Sequence, residues 1–365
     1  MKDWIQDYGK LLAEYSLYLK PGELVFVRST TIAEPLVSAF QKYALKLGAK
    51  VEVDLSYEFE EENIIEFGSD DASSTLQNNA IELISKCDAY LLIRAPFVGR
   101  DLSHVDPERK KKRQNAHAAF SEIYFKRLGD GSLKRSLCQY PTLEVATRAG
   151  MQLDEYSNFI QKACYLDQEN PAEHWQALSK VQQGYVDYLN QVDVLCYEHK
   201  DWRIECSVKG RIWINSDGKS NMPSGEVFTS PIEDSVNGSI YFGYPTIMNG
   251  QELEGIFLKV ENGKIISWEA QKGQEVLDEV FAIEGARYFG EIAIGTNQNI
   301  QQATKNILFD EKIGGTVHMA VGQSYFQCGG KNKSSIHWDL ITDMKSGGKI
   351  YADGKLIYEN GVFLI

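Results

Sequence analysis

The chain has 365 residues, 43% hydrophobic and 24% charged, which suits a globular protein with room for two cored domains and excludes large-scale disorder. With 51 acidic against 38 basic residues the formal net charge is −13, the wrong sign for a protein that must meet nucleic-acid phosphates. The six cysteines form no CxxC pair, no apolar run is long enough to span a membrane, and MKDWIQDYGKLLAEY carries no leader core, so a cytoplasmic protein with free thiols is expected.

Apolar residues at helical spacing from Trp4 to Leu19 predict a helix over 3–19, ended by Pro21-Gly22. ELVFVRS (23–29) reads as a buried strand, 33–47 as a helix stopped by Gly48, and KVEVDLS (50–56) as a second strand. A helix over 75–86 leads to a third strand, AYLLIRA (89–95). This alternation predicts a parallel α/β unit with right-handed crossovers. No GxGxxG or GxxxxGK[ST] follows any of these strands, so the unit reads as scaffold and not as a nucleotide site. ERKKKRQ (108–114) reads as the solvated face of a helix continuing to Arg127. LCQYPT (137–142) suggests another strand, and helices are expected over 143–165 and 171–194. His104, His117, His174 and His199 have no ligand-like neighbours and read as structural or exposed.

Near residue 195 the helical periods give way to short alternating strands: WRIECSV (202–208), RIWIN (211–215), EVFTS (226–230), SIYFGYP (239–245), LEGIFLKV (253–260) and KIISWEA (264–270). Asn-Gly at 262–263 and 360–361 and Asp-Gly at 353–354 are hairpin signals, and a helix over 273–284 interrupts the series. The expected organisation is an α/β N-terminal domain over 1–195, a parallel sheet with helices. An α+β, largely antiparallel metal-binding domain follows over 196–365.

The chemistry concentrates between Glu291 and Asp339. In Ile336-His337-Trp338-Asp339-Leu340, alternation puts His337 and Asp339 on one face of a strand and Trp338 and Leu340 on the other. An imidazole beside a carboxylate is half of a metal shell, although the same spacing also fits a buried His–Asp hydrogen bond. In Thr316-Val-His318-Met-Ala320 the small neighbours leave room beside the His318 imidazole, and Tyr325 follows after a turn. Gly225-Glu226 and Gly290-Glu291 each set a carboxylate at the start of a strand.

Taken together, NMPSGEVFT, the second Gly-Glu pair, LFDEKIGGTVHMAVGQSY and HWD resemble the M29 family of metallo-aminopeptidases. The likeness is ordered across the second half and reaches more weakly into the first through KPGELVFVRS. It implies a metal-dependent aminopeptidase that acts on short peptides, a homodimer, and two divalent ions per chain (zinc, cobalt, manganese or magnesium). Carried over by motif, the ligands would be Glu226, Glu291, His318, His337 and Asp339, with Tyr325 at the metals as ligand or oxyanion donor. The sequence HWDLITDM departs from the family's usual continuation after the ligands.

Six donors are too few for two closed shells, so Glu291 or Asp339 is expected to bridge. Glu311 and Glu254 stay open as general bases. No HExxH and no GxSxG is present, which excludes a thermolysin-like zinc helix and a serine-hydrolase elbow. Two other readings remain: a non-catalytic relative that binds peptides around a structural metal, and another two-metal amidohydrolase.

Overall fold

The computed structural model describes residues 3–76 and 79–365. Gln77 and Asn78, inside the helix expected over 75–86, lie outside the described residues; the helix itself is Ala80–Lys86. The chain divides into two compact units, Met1–Ala172 with Gly218–Met222, and Glu173–Asp217 with Pro223–Ile365.

In the first unit a parallel sheet runs in the order 50–56, 24–30, 89–94, 134–139, 221–222. Its central strands are apolar on both faces, as expected where helices cover a parallel sheet. The expected N-terminal helix splits into an α-helix, Trp4–Leu11, and a wider π turn, Leu12–Ser16. The helix expected over 143–165 breaks at Gly150 into Leu143–Arg148 and Leu153–Ala163. Two short helices, Glu60–Phe67 and Asp70–Ser74, were not legible from periodicity.

The basic run differs from its reading as a solvated face. Arg113 is buried and grips both carboxylate oxygens of Glu61, at 2.7 and 2.9 Å, while Arg109 binds the carbonyls of Ile65 and Gly68. Part of the run therefore turns inward and ties the two short acidic helices to Pro107–Ala116, because a guanidinium satisfies several acceptors at once.

The second unit is built on antiparallel strands. One sheet contains the hairpins that the Asn-Gly and Asp-Gly turns announce, among them Gln251–Glu261 with Lys264–Lys272 and Lys349–Ala352 with Lys355–Glu359. The helix expected over 171–194 ends at Leu189, and Val194–His199, for which no strand was expected, is a strand of this sheet. The other sheet runs in the order 337–343, 316–322, 289–295, 226–229, 214–216. Arg211, expected at the start of the 211–215 strand, instead pairs with Glu233 at 2.7 Å ahead of the short strand Ile214–Ser216.

Alternation along this last sheet separates its two faces. Val227, Ile292, Ile294, Val317, Met319, Val321, Trp338 and Leu340 join the hydrophobic core shared with the other sheet and the helix Gln274–Ala282. Removal of these side chains from water is the main driving force that holds the sheet flat against its core. The opposite face is thereby free to carry polar groups at fixed spacing.

Among the described residues, no helix is long and apolar enough to cross a membrane. All six cysteines are free and buried.

Candidate metal centre

Register fixes which side chains meet on the polar face. Asp339 pairs with Ala320, which pairs in turn with Glu291. His337 pairs with Gly322, His318 with Ala293, and Glu226 with Gly295. Directly opposed residues in antiparallel strands share a face. The two histidines and three carboxylates therefore stand among Ala293, Gly295, Ala320 and Gly322, which leave the space above the sheet to the longer side chains.

Two glycines make this register possible. Gly290 sits at an irregularity between Phe289 and Glu291, and a Cβ there would fall 2.3 Å from the Gln323 carbonyl oxygen. Gly225 has φ +114°, and a Cβ would meet the Asn297 Cβ at 2.7 Å. Both glycines let their main chain approach another segment of the protein closely.

The side chains form two groups whose donor atoms lie within 4.8 Å of one another. One is Glu226, Glu311 and His318; the other is Glu291, His337 and Asp339. Glu291 joins them, its Oε1 3.8 Å from His318 Nε2 and its Oε2 3.0 Å from His337 Nε2. His318 Nε2 also lies 3.3 Å from Glu226 Oε2, and His337 Nε2 lies 3.5 Å from Asp339 Oδ1. His337 Nδ1 donates to the Gln323 carbonyl at 2.7 Å, which fixes the ring and aims Nε2 at the carboxylates.

Electrostatics follow from this crowding. Burial works against ionisation of Glu291 and Asp339, but the imidazoles outweigh it, leaving Glu291 below its ordinary range and Asp339 down at about 2. Burial likewise opposes a proton on the histidines, yet Asp339 and Glu291 hold His337 up at about 11, and Glu291 and Glu226 hold His318 above its usual value. Imidazoles that cling to protons among anions mark a place built for positive charge.

Divalent ions fit these residues. Glu226 Oε2, both ring nitrogens of His318 and Asp339 Oδ1 are buried without a hydrogen-bond partner. Groups of that kind are costly unless something pairs with them, and imidazole with carboxylate is the donor set of zinc, cobalt or manganese.

Tyr325 is partly exposed, with its ring 4.9 Å from that of His337 and 5.1 Å from Phe228. Of the two carboxylates left open as bases, Glu311 falls in the first group, whereas Glu254 is exposed on the other sheet, opposite Lys272. Lys312 was missed. It is wholly buried, with Nζ 2.8 Å from Glu226 Oε1 and also against Glu311 Oε1. Gln182 was missed as well: its amide donates to the Glu226 carbonyl at 3.1 Å and accepts from Thr296 Oγ1 at 2.7 Å, bracing the strand behind Glu226. A lysine in a run of charges and a glutamine in an amphipathic helix carry no signal in a single sequence.

Known proteins point the same way. The family model of thermophilic metalloproteases (M29) matches residues 1–363. The chain is 29% identical over 352 residues to Aminopeptidase 2 of Geobacillus stearothermophilus, covering 88% of this chain and 84% of the relative. It is 25% identical to Aminopeptidase AmpS of Bacillus subtilis, covering 98% and 97%. Among solved structures, wild-type AmpT from Thermus thermophilus superposes with a TM-score of 0.84 over 100% of both chains at 21% identity, a likeness of fold. A dioxygenase from Pseudomonas putida KT2440 that acts on 2,5-dihydroxypyridine shares the fold more loosely, with a TM-score of 0.59 at 15% identity, so the scaffold does not dictate the chemistry.

Proposed function

The chain belongs to the M29 metalloprotease family and is a metallo-aminopeptidase, and from that premise we propose that it works through two divalent ions shared across Glu291. The observation that carries this reading is the placement of Glu291, a member of one group of three donors that turns one oxygen toward its own histidine and the other toward the histidine of the second group. Glu226, Glu311 and His318 would hold one ion, and Glu291, His337 and Asp339 the other. Bound there, such a pair supplies an acidified water and polarises the scissile carbonyl of a peptide.

The chain's own residues do the rest. The Gln323 carbonyl keeps the proton of His337 on Nδ1, so that Nε2 presents its lone pair. Gln182 and Thr296 hold the Glu226 strand in place from behind. Tyr325, packed edge-on against His337, is the residue we assign to donate a hydrogen bond to the developing oxyanion. The working form is taken as a homodimer in the cytoplasm acting on short peptides. The six free thiols accord with that compartment, and light scattering that returns a monomer mass would count against the dimer.

The decisive experiment measures ion content together with hydrolysis of leucyl and alanyl amides, with the α-amine free or acetylated, before and after chelation. Two ions per chain, activity lost on chelation and regained on refilling, and no cleavage of acetylated substrates are expected. Full activity after chelation would end the metal mechanism. One ion without turnover would instead identify a peptide-binding relative.

A further inference from the structure

Lys312 is a buried cation placed inside the ligand cluster; its ion pairs run to one group, and its charge reaches Asp339 of the other more weakly than the imidazoles do. Its side chain is 0% exposed, and Nζ reaches Glu226 Oε1 at 2.8 Å and Glu311 Oε1. The ion pairs of Glu291 and Asp339, in the other group, run to imidazoles. The lysine cannot drift away from this position. Its own N–H donates to the Phe309 carbonyl and its carbonyl accepts from Asn297 N at 3.0 Å, while the Asn297 side chain donates to the Ser224 carbonyl at 2.9 Å. The segment bearing Lys312 is thus tied to the segment that leads into Glu226.

Two consequences follow from charge and geometry. With Oε1 taken by an ammonium, Glu226 keeps Oε2 as its available donor, and that atom is the one left without a hydrogen-bond partner beside His318. In addition, a fixed positive charge in direct contact with two of three ligands repels a dication at that position more than at the other, which it reaches only across Asp339, since the interaction falls with distance and is only weakly screened in the interior. We propose that Lys312 makes the two ion positions unequal: the one built on Glu226, Glu311 and His318 is weak and exchangeable, and the one built on Glu291, His337 and Asp339 is tight.

There is a physical reason for the fold to keep such a lysine. Before any ion binds, the buried Glu226 and the half-buried Glu311 would share only the His318 imidazole as a counter-charge, which is unfavourable. Lys312 compensates both, so the chain can fold before loading, at the cost of weaker binding afterwards. Activity would then follow the ambient ion concentration through the weak position while the tight one stays filled. Lys312 is a positioning residue in this scheme; it touches ligands and not substrate.

The inference rests on the two-ion reading above, and its test separates the two. Full-length metal-free protein is titrated with Zn2+ against a competing chelator, as wild type and as Lys312→Met, Lys312→Gln and Lys312→Arg, with binding read by calorimetry and not by activity. Wild type is expected to bind in two steps at least tenfold apart. Loss of the charge in Lys312→Met should tighten the weaker step tenfold or more and leave the tighter step within a factor of three. Lys312→Gln, which keeps a hydrogen-bond donor, should behave alike and covers the case in which the methionine variant does not fold. Lys312→Arg should retain the gap. Two equal steps in wild type, or a weaker step unmoved or weakened in both uncharged variants, overturns the proposal while the two-ion reading stands. A wild-type chain that takes up one ion defeats both.

Discussion

His337 and Glu291 meet at 3.0 Å, Nε2 to Oε2, while the second oxygen of Glu291 is turned toward His318. Because one side chain serves both imidazoles, its loss should be felt at both ion positions. Glu291→Gln keeps the shape, removes the charge, and puts an NH2 against one of the two nitrogens. Outer-shell partners of metal ligands are worth roughly 10–100-fold in affinity or activity, so a shared ligand should cost about 100-fold or more in kcat/KM. Ion content should fall below two per chain. Steady-state hydrolysis of leucyl amide alongside elemental analysis measures both, and a variant retaining two ions at full rate would show that Glu291 is not shared.

Loading should release protons. In the metal-free protein His337 holds its proton up to about 11 because Asp339 and Glu291 face it, despite its burial. Ion binding needs the bare Nε2, so at neutral pH the proton must leave. The sign is definite: below pH 11 a falling pH favours the protonated imidazole and weakens ion binding, by up to tenfold per pH unit for each proton displaced. Calorimetry of Zn2+ binding in buffers of different ionisation enthalpy counts these protons. Uptake of ions with no proton released between pH 6 and 8 would contradict the assignment of His337.

The strands of the candidate centre were legible because their period is two. In HWDL and TVHMA the polar and apolar residues alternate cleanly, and the register then brings His337, Asp339, His318 and Glu291 to one face. Local sequence left two things unresolved. The third partner of Glu226 and His318 is Glu311, which arrives from the turn after Ile307–Asp310 and has no periodic relation to either. Arg113 likewise looks like any charge in ERKKKRQ, and only the long-range meeting with Glu61, 52 positions away in sequence, turns it inward. Helix breaks at Leu12 and Gly150 and the short acidic helices depend on tertiary packing as well.

Gly290→Ala should couple stability to the metal centre. A Cβ at this position would lie 2.3 Å from the Gln323 carbonyl oxygen, and that oxygen is the acceptor of His337 Nδ1. Relief of the overlap must move the carbonyl or the strand, so the ring that it orients moves too. Overpacking of this kind costs about 1–3 kcal/mol. The expected result is a lower melting midpoint together with a larger loss of Zn2+ affinity than the fold's destabilisation explains. A variant that melts early but binds Zn2+ normally once folded would show that Gln323 has slack.

The Glu61–Arg113 pair should set the acid limit of the first unit. Burial alone would raise the Glu61 carboxyl, but hydrogen bonds from His117 and Arg113 bring it down to about 2. A carboxyl depressed in the folded state adds stability above its unfolded value near 4.5, and that contribution fades as pH falls through 2. Glu61→Gln removes this stability at every pH where the wild type has it, and leaves the buried Arg113 with a neutral partner. The segment 60–76, which Arg109 and Arg113 tie down, should therefore become open to pepsin at pH 4 in Glu61→Gln, whereas the wild type should resist until about pH 2. Timed digestion with mass mapping reads this locally. Equal cleavage of the two proteins at pH 4 would mean that the clasp contributes packing and that its charge is incidental.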